Sequence, residues 1–91
     1  MKRALQLNEK DNVATVIETV KRGELVEILW NGICVNKIIV NDEIKKYFKV
    51  ALIPISKDEV VIKYGEVIGR VNMDRHIGDI IHVDEVRSIK V

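Results

Sequence analysis

The sequence predicts a mainly β domain carrying one short helix. Three observations carry that expectation. The hydrophobic residues, 47% of the 91, are concentrated in Val and Ile, which suit a pleated surface. Asn31-Gly32 sits between two apolar runs, the strongest short-range signal for a tight hairpin. The second half of the chain alternates short β-branched runs with clusters of turn residues. A chain of this length makes one domain, here residues 1–91, with one small core.

The elements follow in order. "ALQL" reads as a first strand. From Asp11 to Val20 the period changes, because Val13, Val16, Ile17 and Val20 recur at helical spacing, with Thr15, Glu18 and Thr19 opposite. Asp11 or Asn8 would cap this helix and Gly23 would stop it. The hairpin "ELVEILW-NG-ICVNKIIV" then sets Trp30 opposite Ile33, Ile28 opposite Val35 and Val26 opposite Lys37. In that register Val26, Ile28, Trp30, Ile33 and Val35 make one apolar face, and Cys34 reads as a packed strand thiol rather than a nucleophile. "NDEIKK" turns, and "FKVALIPI" is a strand ended by Pro54. "VVIKY" returns, "GEVIGRV" bends and continues, and "IIHVDEV" closes the sheet. "IPISKDEVVI" echoes "VNMDRHIGDIIHV", without a true sequence repeat.

Charge narrows the function classes. Fifteen basic against fourteen acidic residues give a net +1, which argues against nucleic-acid binding. Lys45, Lys46 and Lys49 form a local cluster, but Asp42, Glu43 and Asp58 lie close in sequence, so a solvated mixed-charge surface is the plainer reading. A single cysteine excludes an internal disulfide and suits a reducing compartment. Neither a signal peptide nor a membrane-spanning run is legible, so a soluble cytoplasmic protein is expected.

The candidate chemistry is sparse. Gly65 and Gly69 in "VIKYGEVIGRV" lack the context of a phosphate-binding loop and read as two corners of a folded-over sheet. Lys63 and Tyr64 would point to opposite faces of a regular strand, leaving one free to meet a ligand. His82 and Asp84, two apart, would share a face and could form an acid–base pair or supply two metal ligands, too few for a closed site. No nucleophilic triad can be assembled.

Four segments together carry a resemblance: "DNVAT" from Asp11, "KVAL" from Lys49, "VIKYGEVIG" from Val61, and "D…GDIIHV" from Asp74 to Val83. They resemble the SAF domain of the altronate/galactarate dehydratase family, over nearly the whole chain. Sulfolactate sulfo-lyase is a related split enzyme of the same build. The resemblance implies a β-clip fold and a lyase that removes water from a sugar acid. It also implies a large catalytic subunit as partner, with this chain as the small accessory subunit. A divalent metal (iron, magnesium or manganese) would be held mainly by that partner. In this reading Lys49, Lys63 and Tyr64 contact substrate, His82 carries catalysis, and His82 with Asp84 touches metal. No membrane partner is implied, and association into a homo-oligomer stays open. The family's His and preceding Gly are here Phe48 and Tyr47. Of its terminal His-x-His-x-His only His82 stands, between Ile80 and Asp84. Its final Asn is Glu85, and its turn glycine is Asp58. Those departures leave a second reading, a non-catalytic module that binds a carbohydrate acid or a partner protein.

Overall fold

The computed structural model describes residues 1–82. Eight strands make up the described part: β1 Lys2–Leu5, β2 Val13–Val16, β3 Leu25–Trp30, β4 Ile33–Ile39, β5 Lys49–Ala51, β6 Val60–Lys63, β7 Glu66–Arg70 and β8 Ile80–Ile81. Six of them form one sheet in the order β4-β3-β1-β2-β5-β8, and β6 with β7 forms a separate ribbon. The β class is as expected, and among the described residues no helix is long and apolar enough to cross a membrane.

The helix expected from Asp11 to Val20 is not there. Its place is taken by β2, whose backbone pairs with β1 on one side and β5 on the other. The helical spacing of Val13, Val16 and Val20 is coincidental. Val13 faces one core and Ala14 and Val16 face another, so the strand is apolar on both faces and shows no alternation. β-branched residues lose side-chain freedom in a helix, and here two ladders of hydrogen bonds were available instead.

The cores follow from that strand. Ala4, Ala14, Val16, Val26, Ile28, Ile38, Ile44 and Val50 close the first core; Val13, Ala51, Ile55, Val61, Val71 and Ile81 close the second. β2 and β5 therefore separate the cores and contribute to each.

The Asn31-Gly32 hairpin forms as expected, with φ of 53° and 76° at its two turn residues, the two positive values that a type I′ turn requires. Its register then departs from a regular ladder. Trp30 faces Ile33 and Leu29 faces Cys34, but Ile28 faces Asn36, so Val35 is an extra, bulged residue. The bulge reverses the alternation beyond it. Ile38, not Lys37, comes opposite Val26 and is buried, while Ile33 and Val35 are 64% and 49% exposed and Trp30 is half-buried. The expected continuous apolar face therefore ends at Ile28. Cys34 is exposed rather than packed, its Sγ 3.4 Å from the Asn36 carbonyl oxygen.

"VIKYGEVIGRV" is a second hairpin of the same construction. Tyr64 and Gly65 take φ of 59° and 73°, Lys63 faces Glu66, and Ile68 is the bulged residue. Gly65 is thus a turn residue, whereas Gly69 is a strand residue opposite Val61 and no corner.

The faint echo in the sequence is a repeat of backbone geometry. Four type II-like corners, starting at Lys21, Lys45, Ser56 and His76, each close with a backbone bond from the fourth residue to the first. Their third residues, Gly23, Tyr47, Asp58 and Gly78, have φ between 72° and 92°. In three of them the fourth residue is acidic and its carboxylate accepts from the first residue's N–H: Glu24 from Lys21 and Glu59 from Ser56, both at 2.7 Å, and Asp79 from His76 at 2.8 Å. Phe48 holds the equivalent place in the Lys45 corner and can make no such bond.

Candidate functional site

The site is organised by two residues that precede β2. The Asp11 carboxylate is buried, and its oxygens accept from the backbone N–H groups of Gly65 (2.8 Å), Tyr64 (3.1 Å) and Leu7 (3.2 Å). Three donors offset the cost of burying that charge. The Asn12 side chain behaves like a strand residue: its Oδ1 accepts from Ile62 N–H at 2.8 Å and its Nδ2 donates to the Val60 carbonyl at 3.0 Å. Together they fasten the Tyr64-Gly65 ribbon to β2. Neither acts as a helix cap.

Fastening the ribbon brings lysines together. Lys49 opens β5, facing Thr15 on β2 and Ile81 on β8, and Lys63 ends β6. Both side chains are half-buried. Burial pulls the Lys49 ammonium below the ordinary lysine range, and the charge of Lys63 nearby lowers it further. Among the described residues neither lysine has a carboxylate within ion-pair distance. The Thr15 hydroxyl, in the register position opposite Lys49, is buried without a hydrogen-bond partner. Two neighbouring like charges with no counter-ion among the described residues are suited to receive an anion.

Lys63 and Tyr64 do not point to opposite faces. Tyr64 is in the turn with positive φ, its ring 63% exposed, and the Lys63 Nζ lies 5.5 Å from the ring centroid. Lys46 and Tyr47 repeat the arrangement at 5.0 Å. His82 is exposed, and its ring meets Phe48 edge-on at 6.3 Å between centroids. Asp84, the expected partner of His82, lies outside the described residues, as does Glu85. Among the described residues no three His, Cys, Asp or Glu side chains converge, so they do not by themselves fit a metal.

A His–carboxylate pair does exist at a place the sequence reading passed over. His76 Nδ1 stands 3.6 Å from the Asp79 carboxylate within one corner. Partial burial would raise the Asp79 pKa, but the His76 N–H and the Asn41 amide donate to the carboxylate and hold it below the ordinary value. These bonds identify the pair as a corner fastener. An open cleft of about 410 Å³, lined among others by Asn12, Ile53, Pro54 and Arg70, includes none of Lys49, Lys63 or His82. The Arg70 Nη1 there donates to the Asp58 carbonyl at 2.8 Å, which ties it to the fold.

Asp11, Asn12 and Thr15 are the residues that sequence reasoning misplaced. The available signal was an adjacent carboxylate and amide directly before a strand, in a chain that also holds an unusual Tyr-Gly turn needing donors satisfied.

The family model described as the altronate/galactarate dehydratase SAF domain matches residues 2–89. The protein named altronate dehydratase of Bacillus subtilis (strain 168) is 31% identical over 88 residues, which is 97% of this chain and 17% of that protein. The chain thus spans about a sixth of the length of the curated relative it matches. The segments joined by Asp11 and Asn12 lie within the matched region, and the chain belongs to the altronate/galactarate dehydratase SAF-domain family.

Proposed function

We propose that this chain is a β-clip domain acting as the small accessory partner of a sugar-acid dehydratase, a carbon–oxygen lyase of the altronate/galactarate type. It presents Lys49 and Lys63 to the carboxylate of the substrate beside a larger catalytic body. One observation carries this reading: the pair of neighbouring lysines with no carboxylate partner among the described residues. Dehydration requires a base for the proton α to the carboxylate and an acid for the departing β-hydroxyl. As that proton leaves, negative charge builds on the carboxylate, and fixed cations stabilise it more than they stabilise the ground state. Tyr64 limits the motion of Lys63 and offers a ring face to the sugar chain. His82, beside Phe48, is the one imidazole of the family's terminal set that remains, and it would exchange protons at the edge of the site. A divalent metal would polarise the leaving hydroxyl, and its ligands belong mainly to the catalytic body. The isolated chain is expected to turn over no sugar acid.

A second reading, a non-catalytic module for carbohydrate acids, is favoured by Phe48 standing where the family has histidine and by Ile80 and Asp84 standing where it has two more. Both readings use the lysines and differ in whether His82 matters to turnover.

The test is calorimetry of altronate with the dehydratase assembly containing this domain, wild type against Lys49→Met and Lys63→Met. A charge-assisted bond contributes about 1.5–3 kcal/mol, so each change should weaken binding roughly 10- to 100-fold. Unchanged affinity in both variants defeats the proposal. The pH dependence sharpens it. Lys49 loses its proton below the ordinary 10.5, so affinity should fall on the alkaline side before an ordinary lysine would titrate. Lys63→Met removes one cause of that depression and should move the Lys49 midpoint upward, as read by NMR of the lysine side chain.

A further inference from the structure

The second core ends in a rim of hydrogen-bond donors. Val13 pairs with Ala51 inside that core, and both are buried. Residues two apart on a strand share a face, so the Thr15–Lys49 pair continues the same face of β2 and β5. β6 packs on this face through Val61, which belongs to the same core. Lys63 lies two residues beyond Val61 on the regular strand of its ribbon, since the bulge is at Ile68 on β7. Lys63 therefore turns to the same side as Val61, which agrees with its charge being felt by Lys49. Thr15, Lys49 and Lys63 thus stand on one face at the edge of one core.

The Thr15–Lys49 pair is a close one. Val16 N–H donates to the Phe48 carbonyl and Leu52 N–H to the Asn12 carbonyl, each at 2.9 Å. Hydrogen-bonded and non-hydrogen-bonded pairs alternate along an antiparallel ladder, so Thr15 and Lys49 form a non-hydrogen-bonded pair. Side chains approach most closely in pairs of that kind. The Lys49 stem accordingly runs beside the Thr15 side chain.

The Thr15 hydroxyl is out of keeping with this position. Its oxygen is closed to solvent and has no hydrogen-bond partner among the described residues. An unpaired buried hydroxyl opposes folding, whereas valine would fill the same strand position without that cost. The rest of β2 is Val13, Ala14 and Val16. The hydroxyl is all that threonine adds here. Its neighbours in the two ladders are Leu5 and Lys49. Of these only Lys49 has a charged end that an anion attracts and a long stem that can swing aside.

We propose that Thr15 is the inner donor of the lysine site: a carboxylate held between Lys49 and Lys63 draws the Lys49 stem off β2 and accepts a hydrogen bond from the Thr15 hydroxyl beneath it. The inference rests on the reading of the two lysines as holders of a substrate carboxylate. The rim offers two ammonium groups and a hydroxyl, all able to donate, and a carboxylate brings oxygens that only accept. A bond to a charged oxygen is stronger than one between neutral groups, and more so where water is kept out. Two lysines on flexible stems hold an anion loosely. A hydroxyl on a strand paired on both sides gives that anion one depth and one orientation.

The test is calorimetry of altronate with the dehydratase assembly containing this domain, for wild type, Thr15→Val and Thr15→Ser, beside thermal melts of the chain itself. Thr15→Val should weaken binding roughly tenfold and raise the melting temperature. Thr15→Ser keeps the hydroxyl and should bind close to wild type. A hydroxyl that served the fold alone would give the opposite pattern, with stability lost and affinity unmoved. Unchanged affinity in Thr15→Val overturns the inference. So does a fall in its melting temperature, which would give the hydroxyl a partner inside the fold such as a buried water. A loss of affinity that serine does not restore also overturns it, because packing would then be the cause. Lys49→Met and Lys63→Met separate the two levels. If they weaken binding and Thr15→Val does not, the lysine reading stands and this inference fails. If Thr15→Val alone weakens binding, the hydroxyl contact stands and the lysine reading fails.

Discussion

The two hairpins of this domain use one local design in opposite circumstances. Each has a two-residue turn with both φ angles positive, and each bulges at the third residue after the turn glycine, Val35 in one and Ile68 in the other. The Asn31-Gly32 turn has nothing within 4 Å of where a Gly32 side chain would begin. The Tyr64-Gly65 turn is held by the Asp11 carboxylate and lies against Asn8, whose side-chain atoms would be 3.1 Å from an added Cβ on Gly65. An unsupported turn must rely on residues that favour the left-handed region, and Asn-Gly does. A clamped turn can hold a tyrosine there despite its preference. Tertiary support thus frees the second turn to carry a side chain chosen for something other than turning.

Breaking the clamp should separate the two hairpins most sharply. Asp11→Ala leaves three backbone donors without their acceptor and should cost about 3 kcal/mol in denaturant melts. Amide exchange at Tyr64 and Gly65 should rise by more than the global loss explains, while Asn31 and Gly32 change only with global stability. Equal effects on both turns would show that the clamp is not what distinguishes them.

A paired glycine substitution is the next test. Gly32→Ala meets only the positive φ and should cost about 1 kcal/mol. Gly65→Ala adds the contact with Asn8 and should cost roughly 2 kcal/mol. Equal costs would mean that Asn8 moves aside freely. The smallest effect tests the strain itself: Tyr64→Asn should stabilise the fold by roughly 0.5 kcal/mol, because asparagine accepts that conformation. A loss of stability instead would mean that the Lys63–Tyr64 contact outweighs the strain.

What could be read from the sequence depended on how local the cause was. The β class and the Asn31-Gly32 turn were legible because their signals are confined to adjacent residues. The helix expected from Asp11 was misread because a strand apolar on both faces loses its alternation, and Val13, Val16 and Val20 then imitate another period. The bulge at Val35 has no sequence mark, so the fate of Ile33 and Val35 was invisible. Lys49 and Lys63 were singled out through family resemblance alone; the register that faces Lys49 with Thr15, and the clamp that holds the Lys63 ribbon in place, act across the chain. Asp11 was noticed for the wrong reason.

That clamp has a consequence for how the chain is made. The partners of Asn12 lie 48 and 50 residues downstream, and those of Asp11 in the Tyr64-Gly65 turn 53 and 54. While a ribosome is still adding the middle of the chain, the carboxylate and amide remain hydrated and β2 lacks its second neighbour. The first core draws its buried residues from Ala4 to Val50, whereas the second runs on to Ile81 and shares β2 and β5 with the first. Completion of the fold must therefore await synthesis past Gly65, and contacts of such sequence separation favour slow folding. A pause before that point would leave a β-branched nascent segment unpaired, in the form most open to capture by a chaperone.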